Sequence, residues 1–172
     1  MRAGVLVLGP LLAKYKSARV SLPGGCAIGT RPIDIHLNAL KKMGAKIKIK
    51  DGYIIASAKK GLKGCLIKFS KVSVGATENI LIAACFAKGE TKLINCAIEP
   101  EIIDLIEFLK KLGCKIIWTG KRNLKVIGVK DLKSAMHKVI FDRIEAGTYI
   151  IASALTNGNL KIKNINSKII SN

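Results

Sequence analysis

The chain is short of aromatic residues, with four Phe, three Tyr and one Trp among 172 positions. Its core must therefore be built from Ile, Leu, Val and Ala, and a nucleic-acid surface that interleaves stacking rings with charge is not encoded. Long apolar runs are also missing; none approaches the roughly 18–20 residues that a membrane-spanning helix needs. The start, RAGVLVLGPLLAKYK, has the brief apolar stretch of a secretory signal, but Pro10 interrupts it and Lys14 follows Ala13 with no small-x-small cleavage site. We read it as a buried helix.

Acidic residues are few. Eleven Asp and Glu face 30 Lys and Arg, a net charge of +19. The excess is mostly lysine scattered over every segment, which favours anionic partners in general and argues against a dedicated nucleic-acid stripe. Five cysteines (Cys26, Cys65, Cys85, Cys96 and Cys114) lie 39, 20, 11 and 18 residues apart, with no CxxC and no Cys/His spacing suited to zinc. An odd number in apolar segments fits free thiols in a reducing cytoplasm, and no metal site is expected.

The chain repeats itself with a period of about 69 residues. Leu40–Ile47 (LKKMGAKI) returns as Leu109–Ile116 (LKKLGCKI), and Ile80–Asn95 returns as Tyr149–Asn164. Pro32 and Pro100 are placed to open helices, Gly44 and Gly113 to close them. Ile33, Leu37 and Leu40, like Ile102, Ile106 and Leu109, share one helical face. Lys46–Lys50 turns at Asp51-Gly52 into Tyr53–Ala56, a hairpin signature. Strands are also expected at Ala18–Leu22, Lys138–Ile140 and Leu160–Asn164. The expected fold is α/β, made of repeated units with helices packed on sheets. The repeat begins and stops out of phase, so residues 1–172 are expected to form a single domain cut at both ends from a longer protein.

Two loops have the composition of anion sites. In LPGGCAIGTRP, Gly24, Gly25 and Gly29 let backbone N–H groups approach an oxyanion, and Arg31 adds a planar fork at a helix N-terminus. Cys26 inside that pocket is either a packed thiol or one with a lowered pKa that gives a proton or attacks an electrophile; the residues leave both open. His36 reads as a ligand contact or a hydrogen-bonded histidine, and His137 as a surface residue. The second loop is Lys71–Thr77 (KVSVGAT), where Ser73 caps a helix and Gly75 permits close backbone approach; its repeat partner places Asp142 at the cap and Arg143 beside it.

Taken in order, SLPGGCAIGTRPIDIHL, KVSVGATEN, AIEPEIIDL and FDRIEAGTY resemble the enolpyruvyl transferases that act on UDP-N-acetylglucosamine, through essentially the whole chain. The resemblance implies one domain of an inverse α/β barrel built of βαβαββ units. The implied reaction moves enolpyruvyl from phosphoenolpyruvate to the 3-hydroxyl of UDP-N-acetylglucosamine, in the cytoplasm, as the first committed step of peptidoglycan and cell-wall synthesis, with no cofactor. Cys26 would be the proton donor, form an adduct with phosphoenolpyruvate and react with fosfomycin. Arg31 would hold phosphoenolpyruvate. Arg2, Arg31, Pro32, Ile33, Asp34, Ile35, Lys71, Val72, Ser73 and Val74 would contact the nucleotide sugar, with Glu99 and Arg143 supporting loop closure.

The departures matter as much. The family's Lys-Asn pair, its aspartate base and further arginines are absent, and Leu6 stands where the family often carries tryptophan. We therefore expect an isolated chain that is inactive or nearly so, and read it as a split-gene product, a degraded remnant, or a unit that reassembles with a complementary chain carrying the missing domain. The alternative is a non-catalytic binding module of the same fold that holds a nucleotide sugar or RNA.

Overall fold

A computed structural model describes residues 2–23 and 33–170, which fall into two compact units, Met1–Met136 and His137–Asn172. The first unit opens with a 3-10 segment, Arg2–Val7, that runs into α1 (Leu8–Tyr15) and then β1 (Ser17–Ser21). There follow α2 (Asp34–Lys42), β2 (Lys46–Lys50), β3 (Tyr53–Ser57), β4 (Leu66–Lys68), α3 (Val74–Cys85), β5 (Glu90–Ile94), α4 (Pro100–Lys111), β6 (Lys115–Gly120) and β7 (Asn123–Ile127). The second unit holds α5 (Arg143–Leu155) and α6 (Ser167–Ile170).

The period of 69 residues is visible in the sheets. β4, α3, β5, α4, β6 and β7 make a full βαβαββ unit whose strands lie in the order β4-β5-β7-β6, with β4 parallel to β5 and the rest antiparallel. The preceding copy supplies β1-β3-β2, all antiparallel. In each sheet alternate side chains turn inward, as the pleat requires. Val20, Ile54 and Ala56 are buried in the first sheet; Ile67, Leu93, Leu124, Val126 and Ile116 are buried in the second. The outward face of the first sheet carries Arg19, Lys46, Lys48 and Lys50 around Tyr53, with the Arg19 guanidinium 4.1 Å from the Tyr53 ring centroid.

The expected punctuation is present. Asp51 and Gly52 adopt φ 50° and 73°, the left-handed pair of a tight hairpin turn. Gly44 and Gly113 close α2 and α4 at φ 98° and 100°, and Pro100 opens α4. Ile102, Ile106 and Leu109 of α4 are buried together, as are Leu37 and Leu40 of α2.

At the centre lies α3. Its sequence VGATENILIAAC is apolar nearly all round, and Ala76, Ile80, Leu81, Ala83, Ala84 and Cys85 are fully buried, the condition such a helix demands. It packs against α1, α2, α4, the 3-10 segment and β7. α1 approaches it so closely that a Cβ on Gly9 would collide with the side-chain and backbone oxygens of Asn79. Close approach between helices is thus enforced at Gly9; at Gly75 an added Cβ would meet His36 Cε1 at 3.5 Å and Leu6 Cδ2 at 3.6 Å, ordinary contacts.

The second unit departs from the repeat. Lys138–Ile140 and Leu160–Asn164 form no strands. A strand exists only through its ladder: β5 is bonded on one side by β4 and on the other by β7, whereas no other strand is present among the described residues of 137–170 to pair with either segment. The backbone signature survives at Asn164, whose φ of 60° matches the 64° of Asn95 one period earlier. His137, expected at the surface, is half-buried.

Replacing Gly9 by Ala is predicted to cost about 1–3 kcal/mol in urea unfolding, because α1 has to move off α3. Gly75→Ala should cost under about 1 kcal/mol by the same measurement, since its methyl finds room.

Candidate functional site

Three segments singled out in the sequence converge at one end of the first unit: the 3-10 segment that begins at Arg2, the start of α2 at Asp34 and Ile35, and the start of α3 at Lys71–Val74. Each is there for a local reason. Ser73 takes extended backbone (φ −146°, ψ 119°) and its Oγ accepts from the Ala76 N–H at 3.3 Å, which starts α3. Thr77 locks the same turn, donating to the Ser73 carbonyl at 2.8 Å while accepting from the Ala97 N–H at 3.0 Å. Asp34 is the acidic residue in the first turn of α2, where the helix dipole favours it. Cys26, Arg31 and Pro32 lie outside the described residues, and the side chain of Arg2 is likewise not described.

Asn79 joins the three. Its Oδ1 accepts from the Gly9 N–H at 2.8 Å, its Nδ2 donates to the Val5 carbonyl at 2.9 Å, and Nδ2 also lies 3.1 Å from His36 Nδ1. Because Nδ2 is a donor, His36 Nδ1 must accept, which leaves the imidazole proton on Nε2. The other edge of the ring faces the Gly75 position, where an added Cβ would meet Cε1 at 3.5 Å and Nε2 at 3.8 Å. Asn79 is fully buried and His36 nearly so. Burial pushes the His36 pKa down, with the Asp34 charge opposing, so the ring is neutral at pH 7. On the next turn Glu78 is half-buried, and burial followed by the charge of Glu101 raises its pKa.

A groove of about 400 Å³ adjoins these segments between α2 and β4, lined by Ile35, Asn38, Lys42, Ile67, Lys68 and Ser70. It runs up to Lys71 in sequence and presents two ammonium groups on apolar walls. Neither the groove nor Asn79 was found from sequence: Asn79 sits in an apolar helix pattern, and the groove lysines resemble the many others.

The supporting residues divide between the units. Glu99 is the N-cap of α4, and its Oε2 accepts from the Ile98 N–H at 2.7 Å, so its carboxylate is held by its own turn. Arg143 is the first residue of α5 in the second unit, where Asp142 caps the helix by accepting from the Ile144 and Glu145 N–H groups at 2.8 and 3.1 Å. Of the four other cysteines, Cys85, Cys96 and Cys114 are buried and Cys65 is half-buried. Burial pushes the Cys96 thiol up to about 12, and the hydrogen bond with Cys114 together with burial also raises Cys85. Among the described residues no group of three His, Cys, Asp or Glu is placed to hold a metal ion, and no helix is long and apolar enough to cross a membrane.

The EPSP synthase family profile (3-phosphoshikimate 1-carboxyvinyltransferase) matches residues 1–171. The chain belongs to the EPSP synthase family. Among curated relatives, a UDP-N-acetylglucosamine 1-carboxyvinyltransferase of Pelagibacter ubique (strain HTCC1062) is 67% identical over 99% of this chain and 41% of its own length. Proteins of the same name from Endomicrobium trichonymphae and Rickettsia akari (strain Hartford) are 56% and 55% identical, over 96% and 100% of this chain. The chain thus spans about 40% of the length of these family members. Two solved family folds superpose on it: the enolpyruvyl transferase NikO from Streptomyces tendae, with TM-score 0.70 and 23% identity over 87% of this chain and 36% of that one, and EPSP synthase from Acinetobacter baumannii, with TM-score 0.66 and 20% identity over 90% and 35%. The expected enolpyruvyl transferase-like α/β fold is the observed one.

The lowered pKa of His36 fixes a pH dependence. The unfolded chain takes up a proton near the ordinary value of about 6.5 and the folded chain only below it, so the neutral ring's contribution is complete above that pH and is lost as pH falls through it. Urea midpoints measured from pH 8 downward should decline below about pH 6.5 in the wild type and decline less in His36→Gln.

Proposed function

We propose that residues 1–172 carry the cysteine-loop portion of a UDP-N-acetylglucosamine enolpyruvyl transferase that works in the cytoplasm, the rest of its site being supplied by sequence outside these residues. The observation that carries the reading is the convergence of the starts of α2 and α3 with the 3-10 segment around Asn79 and His36, in a chain 67% identical over 99% of its length to a curated transferase of that name.

In this reading the helix starts receive the anionic nucleotide sugar, with Lys71 and the N–H groups of the first turn of α3 as electrostatic partners. Arg2, Arg31, Pro32, Ile33, Asp34, Ile35 and Val72, Ser73 and Val74 complete the contacts. Arg31 holds phosphoenolpyruvate through its carboxylate or phosphate. The 3-hydroxyl gives its proton to the general base from outside this chain and its oxygen bonds to the enol carbon, while Cys26 delivers its own proton to the methylene carbon, giving a tetrahedral adduct and a Cys26 thiolate. Return of a proton from that methyl group to the thiolate, with departure of phosphate, restores the double bond as an enolpyruvyl ether. Glu99 and Arg143 support closure over the reactants.

The need for a partner draws on α5. Its residues Ile144, Tyr149, Ile151 and Leu155 are 64, 57, 61 and 81% exposed, whereas Ile80, the counterpart of Tyr149 one period earlier, is fully buried. An apolar helix of this kind is stable when covered. The family resemblance places the general base and further arginines outside residues 1–172, and a site without them lacks several kcal/mol of transition-state stabilisation.

Phosphate release from the two substrates is predicted to be absent with this chain alone. It should appear on mixing with a polypeptide that carries the remainder of the Pelagibacter ubique relative, and vanish again in Cys26→Ser. Lys71→Ala in the reassembled enzyme should raise the KM for the nucleotide sugar about tenfold or more. No activity on mixing, with both chains folded and associated, would refute the proposal.

A further inference from the structure

We propose that Asn79 is a positioning residue, which with His36 as its hydrogen-bonded partner sets the spacing of the three segments that contact the nucleotide sugar. The inference rests on the reading of those segments given above.

The first argument is connectivity. One side chain reaches the 3-10 segment through the Val5 carbonyl, α1 through the Gly9 N–H, and α2 through His36, while standing on the second turn of α3. Both donors and the carbonyl oxygen of the amide are used, so the geometry of each neighbour is set relative to the others. Gly9 admits the amide: any side chain there would occupy the place of Asn79 Oδ1.

The second is the repeat. If the polar pair belonged to the scaffold, the next unit would carry it too. One period on, Leu105 stands for His36 and Thr148 for Asn79, and Thr148 Oγ1 merely donates to the Ile144 carbonyl within its own helix. The sequence therefore does not repeat the Asn–His pair one period on. A buried amide and imidazole are costly unless every hydrogen bond is made, and a fully satisfied network specifies one arrangement.

The third is what the pair faces. A Cβ on Gly75, one residue beyond Lys71–Val74, would meet His36 Cε1 at 3.5 Å and Leu6 Cδ2 at 3.6 Å, so α2 and the 3-10 segment both come close to that position. A shift of Asn79 is thus passed directly to the nucleotide-sugar contacts, and no residue of the pair needs to touch the ligand.

Titration calorimetry with UDP-N-acetylglucosamine separates positioning from general stability. Asn79→Leu and His36→Leu, checked as folded by circular dichroism, should each bind about tenfold more weakly or worse than the wild type, and His36→Gln, which restores an acceptor for Asn79 Nδ2, should recover most of that loss. If Asn79→Leu does not fold, Asn79→Asp replaces it, keeping the acceptor for Gly9 and losing both donors. Unchanged affinity in folded variants would overturn the proposal. If the wild type itself fails to bind, the functional reading has failed and the clamp is decided without ligand. Imidazole ¹⁵N spectra should then show a proton on Nε2, and Asn79→Leu should shift the amides of residues 5–9 and 34–37 together. A proton on Nδ1, or shifts confined to α3, would refute it.

Discussion

Everything in the first unit depends on burying α3. A helix that is apolar on nearly every side has to be covered on every side, and its neighbours are recruited for that purpose: α1, α2 and α4 as helices, β7 from the sheet, and the 3-10 segment at its N-terminal end. The polar residues it does carry cannot be left to water. Thr77 and Asn79 are both fully buried; Thr77 donates to Ser73 in its own turn and accepts from Ala97, and Asn79 reaches Val5 and Gly9 far away in sequence. The same requirement that makes α3 the centre of the core thus ties together the segments on which the candidate site is built.

This explains how a repeated fold acquires a site at one place only. The repeating apolar pattern builds a framework indifferent to function, and the two copies of LKK(M/L)G(A/C)KI make the same helix, the same left-handed glycine and the same first strand. The candidate site lies where a unit breaks the pattern. The glycine-rich loop before α2, the Asn79–His36 pair and the serine cap of α3 have no full counterpart one period later, where Asp142 caps, Thr148 bonds within its helix and Leu105 is apolar.

Much of this was legible in the sequence because local rules determine it. The Asp51-Gly52 turn, the Gly44 and Gly113 closures, Pro100 at a helix start and the caps Ser73 and Asp142 each follow from residues within a few positions of one another. What stayed hidden depends on partners far away. Asn79 meets Val5 and Gly9 across 74 and 70 residues, and no periodicity announces such a contact. Conversely, Leu160–Asn164 has the composition of a strand and is not one, since a ladder is made by its partner as much as by its own residues. Gly9 stayed hidden for the same reason, because the close contact that needs a glycine there comes from Asn79, 70 residues away.

The central claim is that this chain presents a preassembled nucleotide-sugar surface formed by the starts of α2 and α3. The most direct measurement is a ¹H–¹⁵N titration of the 172-residue chain with UDP-N-acetylglucosamine. The account predicts saturable shifts concentrated at residues 33–36 and 71–75, with the exposed face of the first sheet unmoved. Shifts spread over the lysine-bearing strands and abolished by modest salt would contradict it, and would mark the chain as a nonspecific binder of anions.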